Sequence, residues 1–323
     1  MRKAIGVDLG GSHASAAVVQ EDGKIVSQYE QDIVDRSFDA VIAALENVIR
    51  PAIRDGKEKE LAGIGVGSPG NIDLTTGTVI YSPNFLWQNI PLGPRLRQLF
   101  QLPVHVANDA RCATLGEYTF GMGKGTKDFV LLTLGTGIGG GIVAGGSLVI
   151  GNRAGAGEIG HHQIRPTDGF ICGCGKIGCF EAQASGTGLL RHAFAVAPSF
   201  PKSTLLVKSP DKLGSKAIRR AAQAGDAHAL AAWKNFIGDL AIGLANIVTF
   251  VNPEMIALGG GVSSAGDFMI GAVLPGMDEL TTMVPRGTTR LVIANLGNDA
   301  GLVGAATMAL RGGITPASWQ NSP

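Results

Sequence analysis

The feature that most constrains the fold is a pattern that occurs twice: an apolar strand runs into a glycine-rich turn and is followed by a second apolar run. The first copy starts at residues 4–7 and turns at Gly10-Gly11, and the second starts at residues 129–134 and turns at residues 135–141. Short apolar runs bounded by glycines are typical of buried strands. The repeat therefore predicts a duplicated α/β protein whose ligand lies in the cleft between two related halves.

Length and charge fit a protein that acts on small molecules. The 323 residues are enough for two domains of ordinary size, each with its own core. The 27 basic and 26 acidic residues leave a formal net charge of +1, so we expect no nucleic-acid partner and no membrane partner. Glycine accounts for 48 residues, about twice its typical share, and the glycines cluster at the ends of apolar runs.

The location expected from the sequence is the cytoplasm. The chain enters a strand pattern at its start, without the apolar core and cleavage site of an export signal. The most apolar long segment, residues 236–251, is interrupted by Asp239 and Asn246 and is shorter than a membrane span. We expect it to be part of a buried helix over residues 227–250, and we expect the last helix at residues 300–310.

Three glycine-rich turns at strand ends predict a nucleotide phosphate site. A phosphate chain is held by backbone N–H groups, and glycine allows it to approach them closely. Each turn alone could equally be a tight hairpin, and none has the lysine of a Walker loop, but three together favour phosphates. The turns contain Gly10 and Gly11, then Gly135, Thr136 and Gly137, and finally Gly259, Gly260 and Gly261.

Two aspartates follow predicted strands where phosphate chemistry would need them. Asp8 stands just before the first glycine turn, where a carboxylate can hold Mg²⁺ against phosphates, although an aspartate there is also a common turn former. Asp109 follows Asn108 at the end of the strand at residues 104–107. Phosphoryl transfer needs a carboxylate that accepts the proton of the attacking hydroxyl, but this pair could equally be a helix cap.

The most specific local pattern is one histidine with three cysteines. His161, Cys172, Cys174 and Cys179 form a complete tetrahedral zinc set, and glycines between them let the loop wrap an ion. Because the protein would fill all four positions, a Zn²⁺ ion here would be structural. A cluster of buried thiols is the less favoured alternative. The spacing does not decide between His161 and His162.

Two glutamates flank this cluster and predict a sugar site. Glu158 lies shortly before His161, and Glu181 shortly after Cys179. A loop tied by zinc would hold both carboxylates in one place, and rigid carboxylates are suited to accept hydrogen bonds from paired sugar hydroxyls. Either glutamate alone could instead be an exposed charge.

Taken together, these segments resemble the ROK family of repressors, open reading frames and kinases over nearly the whole chain. Residues 7–12 resemble its first phosphate motif, and residues 132–141 with 158–161 resemble its signature. Residues 106–110 resemble its catalytic segment, and residues 172–181 resemble its zinc motif, which is the most specific of these motifs.

The resemblance implies the actin-like, hexokinase-type ATPase fold, a ribonuclease H-like duplication with two α/β domains around a cleft. It implies a small domain of residues 1–112 that is completed by a C-terminal helix at about residues 298–323. A larger domain of residues 113–297 would carry the zinc loop. The family resemblance also implies a homodimer.

The resemblance further implies ATP and Mg²⁺ as cofactors, Asp109 as general base, and His161 as the histidine that both binds zinc and faces the sugar. Ser12 stands where the family has threonine and keeps the hydroxyl toward the phosphates, whereas His13 stands where lysine is frequent. The residues implied to line the sugar site are Ser68, Pro69, Gly70, Asn84, Asn108, Glu158, His161 and Glu181.

Residues 82–87 and 90–92 resemble bacterial glucokinases most closely, so the expected reaction is transfer of the γ-phosphate of ATP to the 6-hydroxyl of glucose. Relatives act on N-acetylmannosamine, N-acetylglucosamine, fructose or allose. A non-catalytic sugar sensor would lack the base or the phosphate glycines, which this chain has. A repressor of the family has a DNA-binding domain before this fold, and here the first strand begins within the first few residues.

Overall fold

A computed structural model describes residues 1–206 and 214–314 of the chain. The chain divides into two compact units, the first with Met1–Lys127, Gly141–Gly157 and the segment from Asn295 onward, and the second with Asp128–Gly140 and Glu158–Ala294. The domain boundaries expected from the sequence stay a prediction. The part of the expected terminal helix beyond residue 314 lies outside the described residues.

The chain alternates strands and helices in both units. The strands are β1 (Lys3–Leu9), β2 (His13–Gln20), β3 (Ile25–Asp32), β4 (Leu61–Ser68), β5 (Asn71–Asp73), β6 (Thr78–Ser82), β7 (Trp87–Ile90), β8 (Val104–Asn108), β9 (Phe129–Leu134), β10 (Ile138–Ala144), β11 (Ser147–Leu148), β12 (Met255–Gly259) and β13 (Arg290–Ile293). The helices are α1 (Phe38–Gly56), α2 (Leu92–Phe100), α3 (Asp109–Phe120), α4 (Phe180–Ala184), α5 (Gly186–Val196), α6 (Ser215–Gln223), α7 (Ala227–Val251), α8 (Asp267–Leu280) and α9 (Asp299–Leu310).

The duplication predicted from the glycine turns is visible in the strand order. One five-stranded sheet has the order β3-β2-β1-β4-β8, and the other has the order β11-β10-β9-β12-β13. In each, the first strand of a glycine-rich hairpin is central, its hairpin partner lies on one side, and two later strands lie on the other. A three-stranded sheet, β5-β6-β7, belongs to the first unit and was not expected from the sequence.

The register of the first sheet brings the predicted site residues of this unit to one edge. β1, β4 and β8 are parallel, with Asp8 opposite Gly67 and Ser68 opposite Asn108. Since parallel strands end on the same side of a sheet, Asp8, Ser68 and Asn108 lie together at the carboxyl edge, where α/β folds bind ligands. The sequence pattern located these residues at strand ends, and the parallel pairing explains why they converge.

Helix α9 packs against this sheet at unusually short range. A Cβ built on Gly6 of β1 would overlap the carbonyl oxygen of Leu302, and one built on Gly65 of β4 would overlap that of Ala305. On the other side, Gly304 of α9 contacts the carbonyl of Cys112 in α3. The glycines therefore serve as contact points between backbones, and this close packing fixes the height of α9 on the sheet.

The long helix α7 is the core helix expected from the sequence, but it is longer than the apolar run alone indicated. Its 25 residues are long and apolar enough to cross a membrane by length and composition. A buried core helix meets the same criteria, and 56% of its most apolar stretch is buried. Asp239, near its middle, is fully buried and hydrogen-bonded, as is required of a polar group within a protein core.

The sequence did not predict several elements of the structure. Helices α5 and α8 were not expected, and α8 contains Pro275 without ending there. Helix α1, which was expected, also continues through a proline, Pro51. The strands and helices that were expected are present, with ends that differ from the expected ones by a few residues.

The close packing of α9 makes a direct prediction about stability. Gly6→Ala should lower the free energy of unfolding by about 2–3 kcal/mol, because the new methyl group meets backbone that cannot move aside. Gly271→Ala is the matched control, since a Cβ there meets no atom within 4 Å, and it should cost nothing. Urea denaturation measures both, and equal stability of the Gly6→Ala variant and the wild type would contradict the packing argument.

Candidate active site

In the first unit, two carboxylates lie close enough to affect each other's ionisation. Asp8 is largely buried at the end of β1, and Asp109 is the first residue of α3. The pKa of Asp8 is raised from 3.8 to about 6, mainly by burial and secondly by the neighbouring charge of Asp109, while His13 opposes the shift. A pair of carboxylates that repel each other is a local environment that attracts a divalent cation.

The start of α9 lies against Asp8. A Cβ built on Gly301, in the first turn of α9, would lie 3.1 Å from the carboxyl carbon of Asp8. The amino end of a helix stabilises negative charge through its unpaired N–H groups and its dipole. The small residue at position 301 therefore lets the helix end approach the carboxylate closely.

The structure separates the roles of Asn108 and Asp109 that the sequence left open. Asn108 is the cap of α3, since its Oδ1 accepts a hydrogen bond from the Arg111 N–H at 3.2 Å and its Nδ2 donates to the Gly70 carbonyl at 3.2 Å. Asp109 lies one residue further on, where its Oδ1 accepts from the Ala110 N–H at 2.8 Å. The helix cap is thus Asn108, and Asp109 presents a carboxylate at the amino end of α3.

The turn that follows β4 is tightly packed and polar. Ser68 is fully buried, and its hydroxyl has no hydrogen-bond partner among the described residues. Pro69 is buried too, and Gly70 has a φ of +107°, at a point where a Cβ would overlap the Tyr81 carbonyl oxygen. An unsatisfied buried hydroxyl needs a water molecule or a ligand group.

Asn84 lies beside the first glycine turn. It is exposed in the connection from β6 to β7, and its Nδ2 lies 3.8 Å from the position of a Cβ on Gly11. Within the turn, the Gly10 N–H donates to the His13 carbonyl at 2.9 Å, and the exposed Ser12 hydroxyl lies 3.4 Å from His13 Nδ1. The turn is a tight hairpin and also keeps Gly11 and Ser12 accessible.

In the second unit, the two later glycine turns are neighbours. They follow β9 and β12, which are parallel, with Gly259 opposite Thr133. Gly260 has a φ of +83°, and a Cβ there would lie 2.6 Å from the Leu134 carbonyl oxygen, so this position requires glycine. Among the described residues, Cβ atoms on Gly135 and Gly261 would meet no atom within 4 Å, which leaves room for a ligand beside both turns.

Helix α5 adds residues that the sequence analysis missed. The Gly186 N–H donates to the Gly135 carbonyl at 2.8 Å, and the Thr187 hydroxyl donates to the Thr136 carbonyl at 2.8 Å. The amino end of α5 thus lies beside the glycine turn, and helix amino ends bind phosphates. The signal was the Ser185-Gly186-Thr187 segment, in which Ser185 caps the helix.

The predicted zinc ligands come together. The ligand atoms of His161, Cys172, Cys174 and Cys179 all lie within 4.8 Å of one another. His161 Nδ1 is 3.7 Å from the Cys172 Sγ, and the Cys174 and Cys179 sulfurs are 3.6 Å apart. His162 instead places its Nδ1 2.6 Å from the Ile159 carbonyl oxygen, so the structure selects His161.

The chemistry of this donor set fits a metal ion. Burial raises the pKa of Cys172 to about 12 and also raises that of Cys179, whereas a hydrogen bond from the Lys176 N–H lowers the pKa of Cys174. Three crowded thiols that are mostly protonated gain little from their proximity. A divalent cation would favour the thiolate form of all three and would turn the cluster into a tetrahedral site.

Glu181 connects this cluster to the glycine turn. Its Oε2 accepts a hydrogen bond from the Ile138 N–H at 2.9 Å, and its Oε1 lies 3.5 Å from the Cys172 thiol. Glu158 is exposed, and its carbonyl accepts from the His161 N–H at 3.1 Å. Glu158 thus shares a tight turn with His161, and Glu181 lies beside Cys172. A common sugar site for the two carboxylates stays a prediction.

Comparison with known proteins supports the same picture. The ROK family profile matches residues 4–311. A glucokinase of Halalkalibacterium halodurans is 38% identical over 308 residues, which cover 93% of this chain and 92% of the relative.

Solved structures agree with these matches. The ROK glucokinase of Streptomyces griseus, in complex with glucose and AMPPNP, superimposes with a TM-score of 0.81 at 35% identity, covering 96% of this chain and 99% of the other. A ROK transcriptional regulator, a homologue of the Escherichia coli MLC protein, gives a TM-score of 0.85 at 27% identity, covering 99% of this chain and 81% of the other. The fold is therefore the actin-like, hexokinase-type ATPase fold, and the chain belongs to the ROK family.

Proposed function

We propose that this protein is an ATP-dependent glucokinase, which transfers the γ-phosphoryl group of ATP to the 6-hydroxyl of glucose. The observation that carries the proposal is the pairing of Asp8 and Asp109 at one sheet edge, in a chain that is similar to glucokinases over almost its whole length. A phosphoryl transferase needs a proton acceptor for the attacking hydroxyl and a cation site for the phosphates.

In this mechanism, Asp109 accepts the proton of the sugar hydroxyl as its oxygen attacks phosphorus. Its place at the amino end of α3 brings the carboxylate close to helix N–H groups, which stabilise negative charge. Asp8 would hold Mg²⁺, directly or through water, and that ion would neutralise charge on the transferred group. The Asn108 side chain, fixed between α3 and the Gly70 carbonyl, orients the segment that carries Asp109.

Each unit carries polar groups suited to bind sugar hydroxyls. In the first unit, we propose that the orphaned Ser68 hydroxyl, the Pro69-Gly70 turn and the exposed Asn84 amide bind sugar hydroxyls. In the second unit, the acceptors are Glu158 and Glu181, together with His161. Because His161 Nδ1 is the atom beside the cysteines, its Nε2 is the nitrogen that would meet the sugar.

The phosphates of ATP would contact backbone N–H groups of the glycine turns. The open space beside Gly135 and Gly261, and the amino end of α5 behind the first of these turns, support this role. Gly10, Gly11 and Ser12 would contribute the corresponding donors of the first unit. A Zn²⁺ ion held by His161 and the three cysteines would fix the loop and take no part in the chemistry.

We further propose a cytoplasmic homodimer, as the family resemblance implies.

A second candidate function is that of a sugar sensor, favoured by the similarity to the ROK transcriptional regulator. A sensor would bind sugar without turnover of ATP. A coupled assay of ADP release across glucose, mannose, fructose and the two N-acetylhexosamines distinguishes the candidates, and fastest turnover on glucose supports the glucokinase.

Asp109→Asn should lower kcat for glucose by at least about 100-fold, because the amide cannot accept the proton. The KM for glucose should change little, since the amide keeps the size and polarity of the side chain. Asp267→Asn is a matched control, because Asp267 is also the first residue of a helix and is exposed. Steady-state kinetics of both variants are the measurement, and near-normal kcat of Asp109→Asn would remove this residue from the role of base.

The raised pKa of Asp8 predicts that the ionised carboxylate, which would bind the cation, lowers the free energy of unfolding. Because the pKa is about 6 in the folded protein and 3.8 is its ordinary value, the ionised carboxylate is disfavoured above pH 6. Its destabilising effect declines as the pH falls from 6 to 3.8, since the folded state takes up the proton first.

Asp8→Asn should therefore be more stable than the wild type by about 3 kcal/mol above neutral pH, with the difference vanishing near pH 4. Its magnesium-dependent turnover should be lost. Unfolding by urea at several pH values measures the first effect. A variant that is less stable than the wild type at every pH would contradict the proposed environment of Asp8.

The purified protein should contain one zinc ion per chain, measured by elemental analysis. Cys174→Ser should abolish this zinc with little loss of packing, because Cys174 is exposed. Cys112→Ala is the control, since Cys112 lies outside the cluster and should leave the zinc content unchanged. Wild-type protein without zinc would refute the metal site and leave the proposed base untouched.

A further inference from the structure

A buried ion pair anchors the loop that carries the cysteines. Arg165 lies between His161 and Cys172 in the chain, and its Nε donates to Asp239 Oδ1 at 2.5 Å. Asp239 is fully buried on α7, whereas the Arg165 side chain is 38% exposed. Through the Arg165 side chain, the loop therefore contacts a carboxylate in the core of the second unit.

The same carboxylate is connected to the helix that carries Glu181. His192 of α5 hydrogen-bonds through its Nε2 to the carbonyl oxygen of Gln183 at 3.2 Å. The same Nε2 lies 3.1 Å from Asp239 Oδ2, which has no hydrogen-bond partner among the described residues. Gln183 belongs to α4, which also contains Glu181, so Asp239 lies between Arg165 on one side and the histidine that holds α4 on the other.

The backbone of Arg165 has no room to shift relative to the far side of the loop. Its N–H donates to the Gly178 carbonyl at 3.1 Å, and a Cβ on Gly178, which has a φ of +73°, would overlap the Arg165 carbonyl oxygen. Cys179 follows directly. A displacement of Arg165 would therefore be passed to Cys179 and from there to Glu181.

A second set of contacts fixes the tip of the loop to the same helix. The ring of Phe170 lies 5.0 Å from that of His192, and Arg191 Nη1 donates to the Ile171 carbonyl at 2.7 Å. Because His192 takes part in both sets, the loop tip and the ion pair share one support. Zinc would tie the cysteines to each other, whereas these contacts tie the loop to α5 and α7, as does the Phe180 ring, which packs against Gly243 of α7.

Stability alone does not account for a buried ion pair. Asp239 is fully removed from water, although Arg165 stays 38% exposed. Burying a charge is costly, and well-packed apolar side chains of similar volume often stabilise a core equally well. Buried ionic groups can instead select one geometry, because an ion pair has a defined direction and apolar contacts do not.

We propose that Arg165, Asp239 and His192 are positioning residues, which hold the loop of residues 158–181 in the geometry that binds sugar. This inference rests on the proposed function, and it names residues outside the site that set sugar affinity. Residues that support a binding group from behind affect affinity by about 10–100-fold when they are changed. The network should therefore act on the KM for the sugar and leave the chemical step alone.

The first test is Asp239→Asn, which keeps the shape and removes the charge. The KM for glucose should rise about 10-fold or more, while kcat stays within about 3-fold and the KM for ATP is unchanged. Glu46→Gln is the control, because it removes the charge of a surface ion pair with Arg50 in α1 and should alter none of these values. A folded Asp239→Asn protein with the wild-type KM for glucose would overturn the proposal.

The second test is the double variant Arg165→Met/Asp239→Leu, which also covers the case in which Asp239→Asn does not fold. Replacing both charges should give a melting temperature at or above that of Asp239→Asn, since no unpaired charge remains buried. The KM for glucose should stay raised, because apolar side chains lack the directed contact. Recovery of the wild-type KM in the double variant would show a merely structural role and would overturn the proposal.

Hydrogen–deuterium exchange separates this inference from the proposed function. Exchange of residues 158–181 should be faster in both variants than in the wild type, and exchange of α1 should be unchanged. This readout needs neither glucose nor turnover, so it applies even if the wild type does not phosphorylate glucose. Unchanged exchange in the loop would refute the positioning role, whereas absence of wild-type turnover would refute the glucokinase proposal.

Discussion

The contact between the backbone of α9 and the strands β1 and β4 determines the geometry of the first unit. At Gly6 and Gly65 the helix carbonyls occupy the space of a side chain, so α9 can lie at only one height on the sheet. That height brings the first turn of α9, at Gly301, against Asp8. The parallel register of β1, β4 and β8 then determines which residues share the edge with Asp8. The position of Asp8 in the proposed site thus depends on close contacts between backbones, which require glycine at Gly6 and Gly65.

Placing two carboxylates at one edge has a cost in stability that the fold must offset. Burial and the neighbouring Asp109 both disfavour ionisation of Asp8, so the charged form that would bind a cation is the less stable one in its absence. His13 partly compensates by lowering the pKa of Asp8. The amino end of α9 also lies close to this carboxylate, where a helix dipole favours negative charge. In the second unit, a cation would stabilise the crowded thiols. The charge of the buried Asp239 is balanced by the neighbouring Arg165.

The sequence predicted those parts of the site that are encoded locally. The glycine turns, the His-Cys₃ set and Asn108-Asp109 each lie within a short segment whose spacing has physical meaning. Strand periodicity placed the glycine turns and Asn108-Asp109 correctly at strand ends. The Arg165–Asp239 pair could not be predicted, since its members are 74 residues apart and either alone is an ordinary charge. The sheet β5-β6-β7 was missed because its strands have only three to five residues, too few to show an alternating apolar pattern. Helix α8 was missed because Pro275 normally argues against a helix interior.

The central claim is that this chain moves a phosphoryl group from ATP to a sugar hydroxyl. The most direct measurement is analysis of the reaction products by phosphorus NMR after incubation of the purified protein with ATP, magnesium and glucose. The account predicts glucose 6-phosphate and ADP in equal amounts, and no ATP consumption when glucose is left out. Inorganic phosphate in place of the sugar phosphate, or no reaction with any hexose despite sugar binding, would contradict it.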